Sequence, residues 1–251
     1  MQKYVIPNVK PCHPERSRGI LITNSEERKM ESIIKNRSIA IDGPAGAGKS
    51  TVAKLVAKEL GFIYVDTGAM YRAIALYMLE KGIDPADSEA VAENVKNAEV
   101  EIRYENGVQC VFLNGVNVND RIRTGEVSAA ASKTSTVKEV RARMTLLQKE
   151  LAEKNSVVMD GRDIGTAVLP HAYLKVYMTA SAAVRAKRRY DENVAKGISC
   201  NLEEIEKEIN ERDERDMTRA EAPLKKAWDA VLLDTGHMTA EEAAAKIVSW
   251  M

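Results

Sequence analysis

Apolar residues in this chain fall in short runs, each followed by a stretch in which they recur every three or four positions. Ser38-Ile39-Ala40-Ile41 is the first such run, and residues 49–60 carry the helical period up to Gly61. Phe62-Ile63-Tyr64-Val65 is a second strand, followed by a helix over 71–81 that Gly82 ends. Ser156-Val157-Val158-Met159, residues 174–178 and Val231-Leu232-Leu233 are further short apolar strands, each beside a helical stretch. One of these stretches predicts a helix over 137–154, and a capping box announces the last helix, with Thr239 as N-cap and Glu242 three residues on. Strands that alternate with helices in this way predict a parallel sheet covered on both faces.

Two segments depart from the alternation. Residues 100–119 read as strand, turn, strand, turn, strand, with Asn106-Gly107 and Asn114-Gly115 as hairpin turns. This is an antiparallel insert in a parallel α/β protein, and such inserts shape substrate sites more often than cores. Residues 1–36 have no sustained apolar period and gather Pro7, Pro11 and Pro14. They read as an extension, either a disordered tail or an over-extended reading frame whose natural start is Met30.

Between the first strand and its helix lies Gly43-Pro44-Ala45-Gly46-Ala47-Gly48-Lys49-Ser50, which fits G-x-x-x-x-G-K-[ST] in the context that motif requires. Glycines let the backbone curl so that its N–H groups face a phosphate chain, and the helix adds its positive end. Lys49 is expected to reach the β- and γ-phosphates of ATP, and the Ser50 hydroxyl to ligand Mg²⁺, with Thr51 completing the phosphate site.

Charge and composition narrow what such a loop serves. Lysine plus arginine equals aspartate plus glutamate, 37 each in 251 residues, so nothing global attracts nucleic acid or an anionic membrane. Cys12, Cys110 and Cys200 form no Cys-x-x-Cys pair and no disulfide framework, and no apolar run approaches ~18 residues. A cytoplasmic location is the expectation, with small-molecule partners and neither nucleic acid nor membrane. A guanine-reading Asn-Lys-x-Asp segment is missing, which argues against a GTPase switch. A small-molecule kinase needs a second set of cations to hold the acceptor, and arginine suits because its planar fork pairs bidentately with phosphate. Arg72 and Arg162 follow apolar strands, where the crevice of an open α/β sheet lies. Arg212, Asp216 and Arg219 are spaced 0, 4 and 7, which on a helix puts them on one face. Alone, that run is a solvated helix surface; beside a phosphate loop and two strand-end arginines it becomes an acceptor clamp.

These residues together resemble the bacterial cytidylate kinases of the nucleoside monophosphate kinase family. The likeness covers about 39 to the end. It rests on Ile41-Asp42-Gly43-Pro44, on 66–72 (Asp-Thr-Gly-Ala-Met-Tyr-Arg), on Asp160-Gly161-Arg162-Asp163, on 212–219 leading to Ala222-Pro223-Leu224, on Ile122-Arg123-Thr124 and on the three-stranded insert. It implies a P-loop kinase core, an acceptor-binding insert at about 97–133 and a short helical lid at about 185–205. It implies transfer of the ATP γ-phosphate to CMP or dCMP, with Mg²⁺, by a monomer. Arg72, Arg162 and Arg219 would bind the acceptor phosphate, and Ser132, Arg141 and Asp163 would read cytosine. Arg212 and Asp216 would touch the sugar, and Arg185, Arg188 and Arg189 would lie in or near the lid, Arg188 toward ATP. Thr67 stands where some members have serine, with the hydroxyl retained. For Asp160 two roles stay open, orienting a Mg²⁺-bound water or capping its turn. Two rivals stand beside this reading, a P-loop kinase acting on UMP, AMP or another metabolite, and a nucleotide sensor without turnover.

Overall fold

The computed structural model describes residues 37–105 and 107–251; the expected extension over 1–36 and Asn106 of the first hairpin turn lie outside them. In chain order, β1 (Ser38–Asp42) leads through the glycine-rich loop to α1 (Lys49–Leu60), and β2 (Ile63–Asp66) leads to α2 (Thr67–Glu80) and α3 (Ser88–Asn94). β3 (Val100–Glu105), β4 (Val108–Leu113) and β5 (Val116–Asn117) follow, then α4 (Gly125–Thr134) and α5 (Lys138–Lys154). β6 (Val157–Gly161), β7 (Leu174–Thr179), α6 (Ala182–Ala195), α7 (Leu202–Thr218), β8 (Val231–Asp234) and α8 (Ala240–Val248) complete the chain.

β1, β2, β6, β7 and β8 form a parallel sheet in the order β2-β6-β1-β7-β8. Side chains alternate between the faces of a strand, so the continuous apolar runs serve two cores. Ala40, Val65, Val157 and Met159 join Met70, Ile74 and Met78 of α2 on one face. Ile39, Ile41, Val158 and Val176 join Val52 and Val56 of α1 and Ile247 of α8 on the other. The capping box at the start of α8 is formed as expected, the Thr239 and Glu242 side chains each accepting from the other's backbone N–H. None of the described helices is long and apolar enough to cross a membrane.

Two boundaries differ from the sequence reading in ways that affect the site. α2 begins at Thr67 rather than at 71, because the Asp66 carboxylate caps it by accepting from Ala69 N at 2.8 Å. α7 ends at Thr218, so Arg219 is not on the helix with Arg212 and Asp216; its backbone has already turned extended (φ −58°, ψ 142°). The single-face spacing therefore holds for Arg212 and Asp216 only. The chain turns at Arg219 ahead of a loop that returns Leu224 N to the Asp216 carbonyl.

The insert forms its own antiparallel sheet, β3-β4-β5. Leu113 faces Val116 across a two-residue turn in which Asn114 (φ 48°) and Gly115 (φ 80°) are both left-handed, as that turn demands. The insert is moored to the main sheet by a side chain that sequence reasoning passed over. Gln109 Oε1 accepts from Asp66 N at 2.8 Å, while its Nε2 donates to the Asp66 carbonyl at 3.3 Å. Tyr104 adds a hydroxyl bond to the Tyr64 carbonyl at 3.0 Å. The insert thus braces the strand end from which Thr67 and Arg72 start.

Candidate active site

Every parallel strand delivers its C-terminal end to one side of the sheet, and a cavity of about 540 Å³ opens there. β1 runs into the glycine-rich loop. Gly43 sits at φ 150° against β7, where a Cβ would fall 1.9 Å from the Met178 carbonyl oxygen, so only glycine fits. Gly48 (φ 83°) ends the loop as N-cap of α1 with no side-chain cap, and Gly48, Lys49, Ser50 and Thr51 line the cavity. Ala45 and Gly46 also line it, whereas Gly43, Pro44 and Ala47 are not among its lining residues. Lys49 is buried and folds back so that Nζ donates to the Pro44 carbonyl at 2.6 Å.

The other expected residues converge on the same cavity: Thr67, Arg72, Ser132, Arg141, Arg162, Asp163, Arg188, Arg212, Asp216 and Arg219 all line it. Arg72 pairs with Asp66 at 3.1 Å. Arg162 Nε donates to Asp216 Oδ2 at 2.7 Å, which joins the turn after β6 to α7. Asp163 is buried and pairs with Arg141, with Arg219 on its other oxygen at 3.4 Å. Arg219 also donates from Nη2 to the Ala222 carbonyl at 2.6 Å, which fixes it from beyond the helix end. Ser132 lies on α4, and its hydroxyl accepts from Arg215 at 3.4 Å. Thr67 donates its hydroxyl to the Asp160 carbonyl at 2.7 Å.

The arginines expected in or near a lid separate into two kinds. Arg188 holds the Thr235 carbonyl at 2.5 Å, and Arg189 approaches Glu208 at 3.6 Å. Arg185 is instead buried, donating to the Ala45 and Ala180 carbonyls at 2.9 Å and pairing with Asp213 at 2.7 Å. It fastens α6 to the phosphate loop and to α7. No spacing rule marks it, because its partners come from three separate stretches of chain.

Electrostatics state what the cavity wants. Burial pulls the Lys49 ammonium down, and the neighbouring Arg162 pulls the same way. Burial and Arg162 also bring the Arg212 guanidinium down to about 10. Cations under such strain are relieved by a bound polyanion. Burial would raise the Asp216 carboxyl, but Arg162 beside it holds it below the usual range. Asp160 is the opposite case: burial first, and then Asp66, raise it.

Two hydroxyls gather on the Asp160 carboxylate. The Ser50 hydroxyl donates to Asp160 Oδ2 at 2.6 Å, and the Tyr64 hydroxyl to Oδ1 at 3.0 Å. The described residues contain no group of three or more His, Cys, Asp or Glu placed to hold a metal. One hydroxyl and one buried carboxylate, with Lys49 its nearby cation, suit a hard ion that takes most of its ligands from phosphates and water. The residues fit Mg²⁺ carried on a nucleotide.

Comparison with known proteins shows the family. The family model described as Cytidylate kinase matches residues 39–251. The cytidylate kinase of Caldicellulosiruptor bescii is 47% identical over 215 residues, covering 86% of this chain and 95% of that protein. That of Bacillus cereus is 52% identical over 215 residues, covering 86% and 96%. Among solved structures, an uncharacterized protein from Eubacterium ventriosum aligns with a TM-score of 0.51 at 15% identity, covering 86% of this chain and 98% of that one, a likeness of fold alone.

Proposed function

The chain belongs to the cytidylate kinase family, and from that premise we propose that it moves the γ-phosphate of ATP onto CMP or dCMP through Lys49, Arg162 and Arg219. The products are CDP or dCDP and ADP. The observation that carries these roles is the meeting of the glycine-rich loop and the acceptor arginines in one cavity, with Lys49 and Arg212 held there against their own charge.

The attacking group is a phosphate oxygen of CMP, largely ionised at neutral pH, so the reaction requires no general base. Catalysis is positioning and charge neutralisation in a dry site. The loop backbone and Lys49 take the β- and γ-phosphates, and Arg188 approaches ATP from α6. Arg72, Arg162 and Arg219 hold the acceptor phosphate in line, while Arg212 and Asp216 take the sugar. Ser50 Oγ, with the Asp160 carboxylate beside it, would help to hold Mg²⁺, which would supply positive charge to the donor phosphates. The protein works in the cytoplasm, as a monomer.

Base choice falls to Ser132, Arg141 and Asp163. Cytosine offers an amino donor at N4 beside the acceptors N3 and O2. A carboxylate has about four lone-pair sites, so Asp163 can keep Arg141 and Arg219 and still accept from N4. Uracil would set an oxygen against that carboxylate. Asp163→Ala is therefore expected to lower kcat/KM for CMP by about 1–3 kcal/mol more than for UMP. Misplacement of the phosphate-binding Arg219 would hit both nucleotides alike, so the difference between them isolates base reading by Asp163 and the Arg141 it holds. Equal proportional losses, with melting temperature as control, would remove Asp163 from that role.

A further inference from the structure

We propose that Asp42 is a positioning residue for phosphoryl transfer, its carboxylate tying the acceptor turn Arg162–Asp163 to the donor loop that starts at Gly43. The inference rests on the reading of that turn as the acceptor site. Asp42 is the last residue of β1, lies opposite Gly161 of β6, and is buried. Its Oδ1 accepts from Ile164 N at 2.8 Å and its Oδ2 from Gly165 N at 2.7 Å. These two amides open the short 164–168 helical segment, which has no side-chain cap from Asp163 at its start. Asp163 cannot supply one while it faces Arg141 and Arg219. The cap comes instead from the neighbouring strand, and the residue that provides it directly precedes the phosphate loop.

Only a carboxylate satisfies this geometry. Two successive N–H groups each need an acceptor, and an amide would present one acceptor and one opposing donor. Position 165 is matched to it: a Cβ there would lie 3.3 Å from Asp42 Oδ2 and 3.2 Å from Lys175 Cδ. Burial pushes the Asp42 carboxyl up to about 6, with the like charge of Asp163 adding and the two backbone bonds and Lys49 opposing. A buried acid in that condition is kept for what it holds.

The test compares Asp42→Asn, Gly165→Ala and Arg162→Ala with the parent enzyme. Measured are kcat and KM for CMP at saturating ATP, ATP affinity without CMP, and melting temperature. Asp42→Asn is expected to lower kcat at least about tenfold and raise the KM for CMP, with ATP affinity changed less than about twofold. Gly165→Ala crowds the same junction from the other side and should shift the same parameters, so it serves if the Asn variant does not fold. Folded variants with normal CMP kinetics would overturn the proposal, as would a loss confined to ATP affinity. If Arg162→Ala also leaves CMP kinetics intact, the acceptor reading itself fails; if only Arg162→Ala is impaired, the tie through Asp42 alone fails.

Discussion

Lys49→Ala is expected to cut CMP turnover by about a thousandfold or more while the enzyme stays folded. Lys49 is buried, its Nζ meets the Pro44 carbonyl, and burial together with Arg162 lowers its proton affinity. Such a cation contributes little to the ligand-free fold. Removing it relieves repulsion with Arg162 and Arg212, gives up attraction to Asp160 and Asp42, and leaves both hydrophobic cores untouched. Its value lies with the transferring phosphoryl group, whose charge it meets in a site of low dielectric. Single-turnover phosphorylation of CMP, with circular dichroism and melting temperature alongside, makes the measurement. A folded variant with near-normal turnover would exclude the loop lysine from the chemistry.

The second large effect is expected on the acceptor side. Arg162→Ala should lower kcat for CMP by roughly a hundredfold with ATP affinity nearly unchanged, as a lost charge-assisted contact to phosphate of about 3 kcal/mol implies. Asp216, which accepts from Arg162 at 2.7 Å, would lose its strongest partner and keep Arg212 and Arg219 nearby. Some rise in the KM for CMP should follow, since α7 is no longer drawn to the turn after β6. Equilibrium binding of ATP and steady-state kinetics in CMP separate the two sides. Lost ATP affinity with normal CMP kinetics would mean that donor and acceptor sides are reversed.

The sequence carried the sheet and the phosphate loop plainly, because both are local patterns. Apolar runs such as Ile39-Ala40-Ile41 declare strands buried on both faces, and the glycines of 43–48 declare a backbone that must curl. Arg72 and Arg162 were legible as strand-end residues, whereas Ser132 and Arg141 were reachable only through the family resemblance. What stayed hidden depends on contacts between remote parts of the chain. Asp42 reads as the polar end of a strand until Ile164 and Gly165 arrive beside it. Arg185 reads as lid surface until Ala45 and Asp213 enclose it. Gln109 reads as the outward face of a hairpin, and Arg219 as the next turn of a helix that had already ended.

The strand order has a consequence for the birth of the enzyme. β1 is central in the sheet, yet both of its partners, β6 and β7, lie more than a hundred residues downstream. At about 5–20 residues per second, a ribosome needs on the order of ten seconds to deliver them after β1 has emerged. Throughout that interval Ile39 and Ile41 have no sheet to enter, and the glycine-rich loop has nothing to curl against. Pairing of this range is slow and exposes unpaired edges, the state in which nascent chains aggregate or engage chaperones. Nucleotide binding should therefore appear late and all at once, after residue 179 has cleared the exit tunnel, so a nucleotide-analogue signal from stalled chains would date the closure of the sheet.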